Sequence, residues 1–264
     1  MPMPRQPRIR EGKPVKGLPP GPIEPLDMAV ACCMYKEMTS YAGSLDRLRE
    51  SVGPDPDLSL DDHRAALLQF LNDWGCRNLA KAWHERASDA LEGWWSSTRD
   101  WLEQLPDDPG YFDAARLREV ARAFRLLSES NAAEKTRQGV DLQVSFGPTA
   151  TSKTLFALRP SALPAWDGPM RKAFGYDDDG VAYAHFVRDL HEKIAETAVC
   201  FNERGLELSG LPTELGRPAY TTVAQLVIEY YWITVTRGVS LPSSDVLRGW
   251  LSWCDSPRLI GPRG

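Results

Sequence analysis

The chain has 264 residues, of which 42% are hydrophobic, and this is enough to bury the core of one large domain or two small ones. No run of about 18 apolar residues occurs and no apolar segment follows the charged N-terminus, so we expect neither a membrane span nor a signal peptide, and a cytoplasmic location. The formal net charge of −5 argues against indiscriminate coating of nucleic acid but leaves room for a local basic face.

Cysteine occurs five times, an odd number, at positions 32, 33, 76, 200 and 254. No two cysteines form a C-x-x-C pair, and their spacing suits neither a zinc site nor an iron–sulfur cluster. The four histidines show no ligand pattern either. We therefore expect free thiols and no metal or other cofactor.

Residues 1–25 differ from the rest in composition. They hold eight prolines, three glycines and five cationic side chains against two glutamates. Such a segment cannot bury a core, so we interpret it as a disordered basic arm, either a tether that contacts phosphates or an ordinary flexible tail. Residues 26–238 then form the main domain, and residues 239–264 form a C-terminal tail with a short helix.

The first half of the main domain has the periodicity of helices. Apolar residues recur at steps of three and four from Leu26 to Met38, which predicts one helix with this set on its buried face. Ser59 offers an N-cap for a second helix that Gly75 can end. Another helix is expected over 77–91, with three tryptophans in or near the next one. The residues predicted to face the core in the first helix are Leu26, Val30, Cys33, Met34 and Met38.

The second half of the domain is also predicted to be helical. Asp113 can cap a strongly periodic helix, and two long helices are expected over 182–201 and 221–236. Ser243 or Ser244 would cap a last short helix.

One segment has the pattern of a strand. Residues 140–146 alternate between apolar and polar side chains. A single isolated strand cannot form a sheet, and the helices follow each other with connections of ordinary length. We therefore predict an all-α, multi-helix fold.

The chemistry of the chain is concentrated in residues 147–175, GPTATSKTLFALRPSALPAWDGPMRKAFG. A glycine turn leads into a short apolar helix that starts near Thr151, and a connection with Pro160 and Pro164 follows. Asp167 then stands at the head of another helix, where aspartate is a favoured N-cap.

In this segment the chain resembles the helix-hairpin-helix DNA glycosylases. In that family a hairpin with a glycine turn precedes a helix that begins near a Lys-Thr or Ser-Thr pair, and a connection then leads to an invariant aspartate. The pair here is Lys153-Thr154, the aspartate is Asp167, and the hairpin is degenerate. The residues after the aspartate are similar to those in the branch of the family that excises adenine, and they are Gly168, Met170, Arg171 and Lys172.

The resemblance implies a glycosylase-like fold and an enzyme that cleaves the N-glycosidic bond of a modified or damaged base in double-stranded DNA. Breaking this bond leaves an oxocarbenium-like sugar, so Asp167 would stabilise positive charge that develops in the transition state. Lys153 matches the nucleophilic lysine of the family and would add AP-lyase activity through a Schiff base, or it contacts a phosphate. We expect a monomer that acts in base-excision repair or in defence against modified phage DNA.

The target base must leave the DNA stack, which costs a few kcal/mol that aromatic walls of a pocket can partly recover. The candidates for base binding are Trp166, Trp74, Asn72, Asp73 and Arg77. The same tryptophans could be core aromatics, and the three polar residues could cap and brace a helix end. Contacts to the DNA backbone are assigned to a helix N-terminus and nearby cations, namely Gly147, Thr151, Ser152, Arg171 and Lys172.

Two other functions stay open. Residues 147–154 nearly match the phosphate-binding loop G-x-x-x-x-G-K-[ST], with Ser152 at the second glycine, and they follow the strand-like segment. No later apolar run that ends in aspartate supplies a magnesium ligand, and Pro160 ends the next helix early. The second alternative is a non-catalytic helical DNA-binding or interaction protein in which Asp167 is only structural.

Overall fold

The structure, a computed structural model, describes residues 17–76, 79–106, 112–137 and 140–254. Most of the predicted N-terminal arm and the candidate residue Arg77 lie outside the described residues. Within the described ranges, no helix has the length and apolar character needed to cross a membrane.

The described part of the chain is mainly helical, in agreement with the prediction. The α-helices are α1 (Pro25–Met38), α2 (Ala42–Val52), α3 (Asp61–Asp73), α4 (His84–Glu103), α5 (Ala114–Glu129), α6 (Gly147–Leu158), α7 (Gly168–Phe174), α8 (Gly180–Glu203), α9 (Leu211–Glu214), α10 (Val223–Tyr231) and α11 (Ser244–Cys254).

Capping residues define several of these helices as predicted. Asp113 accepts a hydrogen bond from the Arg116 N–H at 2.7 Å and caps α5. Asp167 caps α7 in the same way, and Ser243 caps α11 with a longer bond of 3.4 Å. Gly75 lies just beyond α3 with a φ of 81°, a conformation that glycine adopts readily at a helix end.

Helix α10 continues without a break into a π-helical turn, Trp232–Thr236. Together they form the helix predicted over 221–236, and α8 is the helix predicted over 182–201. A π-helical turn is rare and frequently occurs at functional sites. Trp232 and Thr236, at its two ends, both contribute to the candidate site described below.

The buried face of α1 differs from the prediction. Leu26 and Met38 are 43% and 45% exposed, whereas Met28, Ala31 and Cys32 are fully buried. Few positions of this helix are charged, so its sequence offers two apolar faces with helical spacing. Packing against α10 determines which of the two is buried.

Two helix starts also differ from the prediction. Ser59 does not cap α3, because Leu60 occupies the N-cap position and the Ser59 hydroxyl donates a hydrogen bond to Asp57 at 2.7 Å instead. The helix predicted over 77–91 is α4, which begins later, after a 3-10 turn. It extends far enough to include all three tryptophans that were assigned in or near the next helix.

A small β-hairpin lies between α5 and α6, in a fold that is otherwise helical and compatible with the all-α prediction. β1 (Asn131–Arg137) pairs in antiparallel fashion with β2 (Val140–Ser145), the strand predicted over 140–146. The sequence of β1, NAAEKTR, has no alternation of apolar side chains, so it gives no signal for a partner strand. The hairpin packs on α4 and stands where the family resemblance implies a short helical hairpin.

The core behind the candidate site is aromatic and closely packed. The Trp166 ring lies with its centroid 5.7 Å from that of Phe124 and 5.2 Å from that of Tyr183, both edge to face. Helices α5 and α8 supply the two partner rings. Their backbones approach so closely that Gly180, the first residue of α8, lies directly against the carbonyl of Ala121.

A buried ion pair joins α10 to the segment after α9. Glu229 is 2% exposed and contacts the Arg217 guanidinium, which also donates to the Cys32 carbonyl at 3.2 Å. The Gln225 amide donates a further hydrogen bond to the Glu229 carboxylate, at 3.1 Å. Burial raises the pKa of Glu229 to about 7, because the loss of hydration outweighs the attraction of Arg217.

We expect Glu229 to make the free energy of unfolding fall as the pH rises from about 4.5 to about 7. In this window the folded protein holds the Glu229 proton, whereas the unfolded chain has released it. A rise in pH therefore favours unfolding, by about 3 kcal/mol in total. Urea unfolding at a series of pH values measures this slope in the wild type and in Glu229→Gln, which should lack it.

The matched control is Glu134→Gln. This substitution removes a carboxylate from the half-exposed ion pair with Arg86, where solvent screens the interaction. The control should keep the pH slope of the wild type. An undiminished slope in Glu229→Gln would show that other groups cause the pH dependence.

Candidate active site

Asp167 lies at the N-terminus of α7, at the end of the loop that follows α6. Its backbone is extended, with φ −118° and ψ 172°, and its Oδ1 accepts a hydrogen bond from the Met170 N–H at 2.7 Å. The Asp167 side chain is partly exposed. The helix end therefore fixes the carboxylate without enclosing it.

A second element holds the same carboxylate. The Thr236 hydroxyl, on the π-helical turn, lies 3.0 Å from Oδ1 and 2.9 Å from Oδ2 of Asp167. A hydroxyl has one proton to donate, so these distances describe one hydrogen bond shared between two oxygens. The Met170 N–H and the Thr236 hydroxyl together set the orientation of the carboxylate. No sequence signal points to Thr236, since it stands 69 positions from Asp167.

The pocket beside Asp167 has mainly aromatic walls. The Tyr35 and Tyr41 rings both meet the Trp232 ring edge to face, with centroids 5.3 and 6.2 Å away. Burial raises the pKa of Tyr35, so its phenol stays neutral. The cavity has a volume of about 50 Å³, which is room for one or two waters. Its lining residues are Tyr35, Tyr41, Trp74, Lys153, Ala165, Trp166, Asp167, Met170, Ile228 and Trp232.

Lys153 and Trp74 form one wall of this pocket. The Lys153 amine donates a hydrogen bond to the Trp74 carbonyl and lies 5.6 Å from the centroid of the Trp74 ring, within range of a cation–π contact. The Trp74 ring stacks on Phe156 at 5.3 Å, and its Nε1 donates to the Tyr41 carbonyl at 3.0 Å. The structure thus places the predicted pair Asp167 and Lys153 at the same pocket, with Trp74 as a ring in its wall.

Trp166, which was expected to stack on a base, lies between the pocket and the core. Its side chain is 1% exposed and its ring belongs to the aromatic core. The Trp166 backbone carbonyl accepts a hydrogen bond from the Ser152 hydroxyl at 3.1 Å, and its Nε1 donates to the Pro148 carbonyl at 3.3 Å. Trp166 therefore anchors the loop that carries Asp167.

The polar residues at the end of α3 do not reach the pocket. The Asn72 amide bonds to His84 Nε2 at 2.8 Å, and Asp73 pairs with Arg47 at 2.9 Å. Neither Asn72 nor Asp73 lines the cavity. Both side chains brace the helix end in this structure, and their contact with a base edge stays a prediction. Arg77 lies outside the described residues.

The predicted contacts to the DNA backbone fall into two groups. Thr151 and Ser152 are fully buried, so the prediction is wrong for their side chains. Helix α6 begins at Gly147, which puts the N–H groups of both residues inside the helix rather than at its open end. Lys172 is exposed, and Arg171 is partly buried with its guanidinium 3.8 Å from the Asp178 carboxylate.

The structure also contradicts the interpretation of residues 147–154 as a phosphate-binding loop. Residues 147–158 form helix α6 rather than a loop that could surround a phosphate. The strand before it belongs to an antiparallel hairpin, not to the parallel sheet that such a loop follows.

No metal site is evident in the part of the chain that the structure describes, because no three His, Cys, Asp or Glu residues lie close enough together to hold an ion. Comparisons with protein-family models, with curated proteins and with solved structures gave no match.

Proposed function

We propose that the protein is a DNA glycosylase in which Asp167 is the essential carboxylate. The observation that carries the proposal is that Asp167 and Lys153 line one pocket with aromatic walls. The sequence motif points to the same two residues independently of the pocket. The proposed substrate is double-stranded DNA with a modified or damaged base, and the protein would act as a cytoplasmic monomer in repair or in defence against modified phage DNA.

The chemistry of the site fits this reaction. As the bond from sugar to base breaks, positive charge develops on the sugar, and a carboxylate beside it lowers the energy of that state. Two donors, the Met170 N–H and the Thr236 hydroxyl, orient the Asp167 carboxylate before substrate arrives. Such preorganisation avoids a cost of reorientation during the reaction.

The small size of the pocket means that it must widen before it can hold a base. A cavity of about 50 Å³ is too small for a base, so the wall rings must separate when a flipped base enters. Trp232 meets Tyr35 and Tyr41 edge to face rather than in a stack, and the Arg237 guanidinium lies 5.5 Å from the centroid of its ring. We propose Trp232 as the ring that moves, since it is only partly buried.

Lys153 has two roles open to it within the same proposal. Its amine is bound to the Trp74 carbonyl, which positions it at the pocket wall. If it attacks the sugar, the resulting Schiff base leads to strand cleavage. If it only contacts a phosphate, base release leaves an intact strand with an abasic site.

The test is base release from duplexes that carry oxidised, alkylated, deaminated or hypermodified bases. Alkali cleavage detects abasic sites, and cleavage without alkali detects lyase activity. We expect abasic sites with the wild type, and strand cleavage that disappears in Lys153→Ala but not in Lys172→Ala if Lys153 is the nucleophile. If no duplex in the panel, and no phage DNA, loses a base, the proposal is overturned in favour of a non-catalytic binding protein.

We expect Thr236→Val to slow base release about tenfold, because a hydrogen bond to a charged group is lost. Thr236→Ser keeps the hydroxyl and should restore most of the rate. Thr234→Val is the matched control on the same turn, since the Thr234 hydroxyl bonds to the Tyr230 carbonyl at 2.9 Å and not to Asp167. Single-turnover rates measure the effect, and equal rates for Thr236→Val and Thr234→Val would contradict it.

A further inference from the structure

A groove separate from the pocket beside Asp167 lies elsewhere among the described residues. Its volume is about 930 Å³, the scale of a site for a small organic molecule. Among the described residues, none lines both cavities. The apolar floor of the groove comes from α6, α8 and α10 and from the segments that follow α6 and α8, with Leu158, Ala162, Ile194, Ala198, Leu208 and Ala224.

Arg49, near the end of α2, lines this groove and is only 9% exposed. Its Nη2 donates to the Ala157 carbonyl at 2.7 Å, but its Nη1 is buried without a hydrogen-bond partner. Burial lowers the pKa of this guanidinium, and the attraction of Asp55 opposes the effect only in part. A buried donor left unpaired is costly, and an anion in the groove would offset that cost.

The N-terminus of α10 opens into the same groove. The Thr222 hydroxyl accepts a hydrogen bond from the Gln225 N–H at 3.1 Å and so caps the helix. The N–H groups of Val223 and Ala224 lie in the first turn of α10, where an N–H has no carbonyl of the same helix to bond to. Both of these residues line the groove. Free N–H groups at the positive end of a helix dipole favour an oxyanion.

The segment before α10 lies next to α2, which brings these two features together. The Tyr220 hydroxyl donates to Asp46 of α2 at 2.7 Å. The groove also has a second guanidinium, Arg159, tethered to the Leu105 carbonyl, and two carboxylates, Asp55 and Glu207. Asp55 attracts the Arg49 charge, yet among the described contacts no ion pair joins the two residues.

We propose that this groove binds a small organic phosphate of nucleotide size. The phosphate group of this ligand lies between Arg49 and the N-terminus of α10, and the organic part of the ligand packs on the apolar floor of the groove. The volume of the groove exceeds that of a bare phosphate ion several times, which favours an organic ligand over an inorganic one.

Calorimetric titration with 2′-deoxyadenosine 5′-monophosphate tests the proposal. We expect it to bind, and the nucleoside without phosphate and inorganic phosphate to bind about tenfold more weakly or not at all. Asp167→Asn should bind the nucleotide like the wild type, so the result does not depend on the proposed glycosylase site. Equal binding of nucleotide and nucleoside, or binding of a single-stranded oligonucleotide alone, would overturn the proposal.

Two variants locate the binding in the groove. Arg49→Met removes the donors and should weaken binding about tenfold. Because Arg49 is buried and that variant could unfold, Ala198→Phe provides a second route by filling the floor from α8. Val199→Phe, at a position that is 58% exposed and outside the groove, is its control. Nucleotide binding by Ala198→Phe at wild-type affinity would place the ligand elsewhere and overturn the assignment.

Discussion

Asp167→Asn is expected to lower the rate of base release by about 10²–10³-fold. The amide keeps the size of the side chain and its oxygen can still accept the Met170 N–H. It loses the negative charge that stabilises the developing sugar cation. Single-turnover kinetics on the most reactive duplex of the panel give the rate, and duplex binding measured in parallel separates loss of chemistry from loss of affinity.

Two other aspartates serve as matched controls. Asp113 and Asp179 also cap helices, through bonds of 2.7 and 2.8 Å to backbone N–H groups, but neither lines the pocket. Their asparagine variants lose the same charge from the same kind of helix end. We expect both to keep the wild-type rate. An equal decrease in all three variants would assign the effect to helix capping or to the overall charge, and Asp167 would then be structural.

The parts of the fold that depend only on residues close together in the sequence could be predicted. Asp113 and Ser243 were identified as caps because a cap depends on a side chain and an N–H three positions away. The face that α1 buries depends on α10, and β1 depends on β2 across a hairpin. Neither Met28 nor Asn131 has a local pattern that reveals its partner, so these features could not be predicted.

The residues of the candidate site also fall into those that the sequence predicts and those that it does not. Asp167 and Lys153 belong to one contiguous motif and line one pocket, whereas their catalytic roles stay a prediction. Tyr35 and Thr236 come from the two ends of the main domain, and only the packing of α1 and α10 brings them to the carboxylate. Trp166 also lines the pocket while its ring packs into the core, and no local pattern in the sequence distinguishes a pocket ring from a core ring.

The close packing behind the site predicts a large effect of one substitution on stability. Gly180→Ala should reduce the free energy of unfolding by about 3 kcal/mol. A Cβ at this position would overlap the Ala121 carbonyl oxygen and come within 3.0 Å of its carbon. Backbone cannot yield as a flexible side chain does, so α5 and α8 must separate and loosen the rings around Trp166.

Gly93→Ala in α4 is the matched control for that substitution. Gly93 is exposed within a helix, and an added Cβ would meet nothing within 4 Å. Alanine has the higher helix propensity, so this variant should be more stable than the wild type by about 0.5–1 kcal/mol. Urea unfolding measures both variants. Opposite signs would show that steric contact between α5 and α8, and not the loss of a glycine, causes the effect, whereas a stable Gly180→Ala would mean that the two helices do not pack as closely as the structure places them.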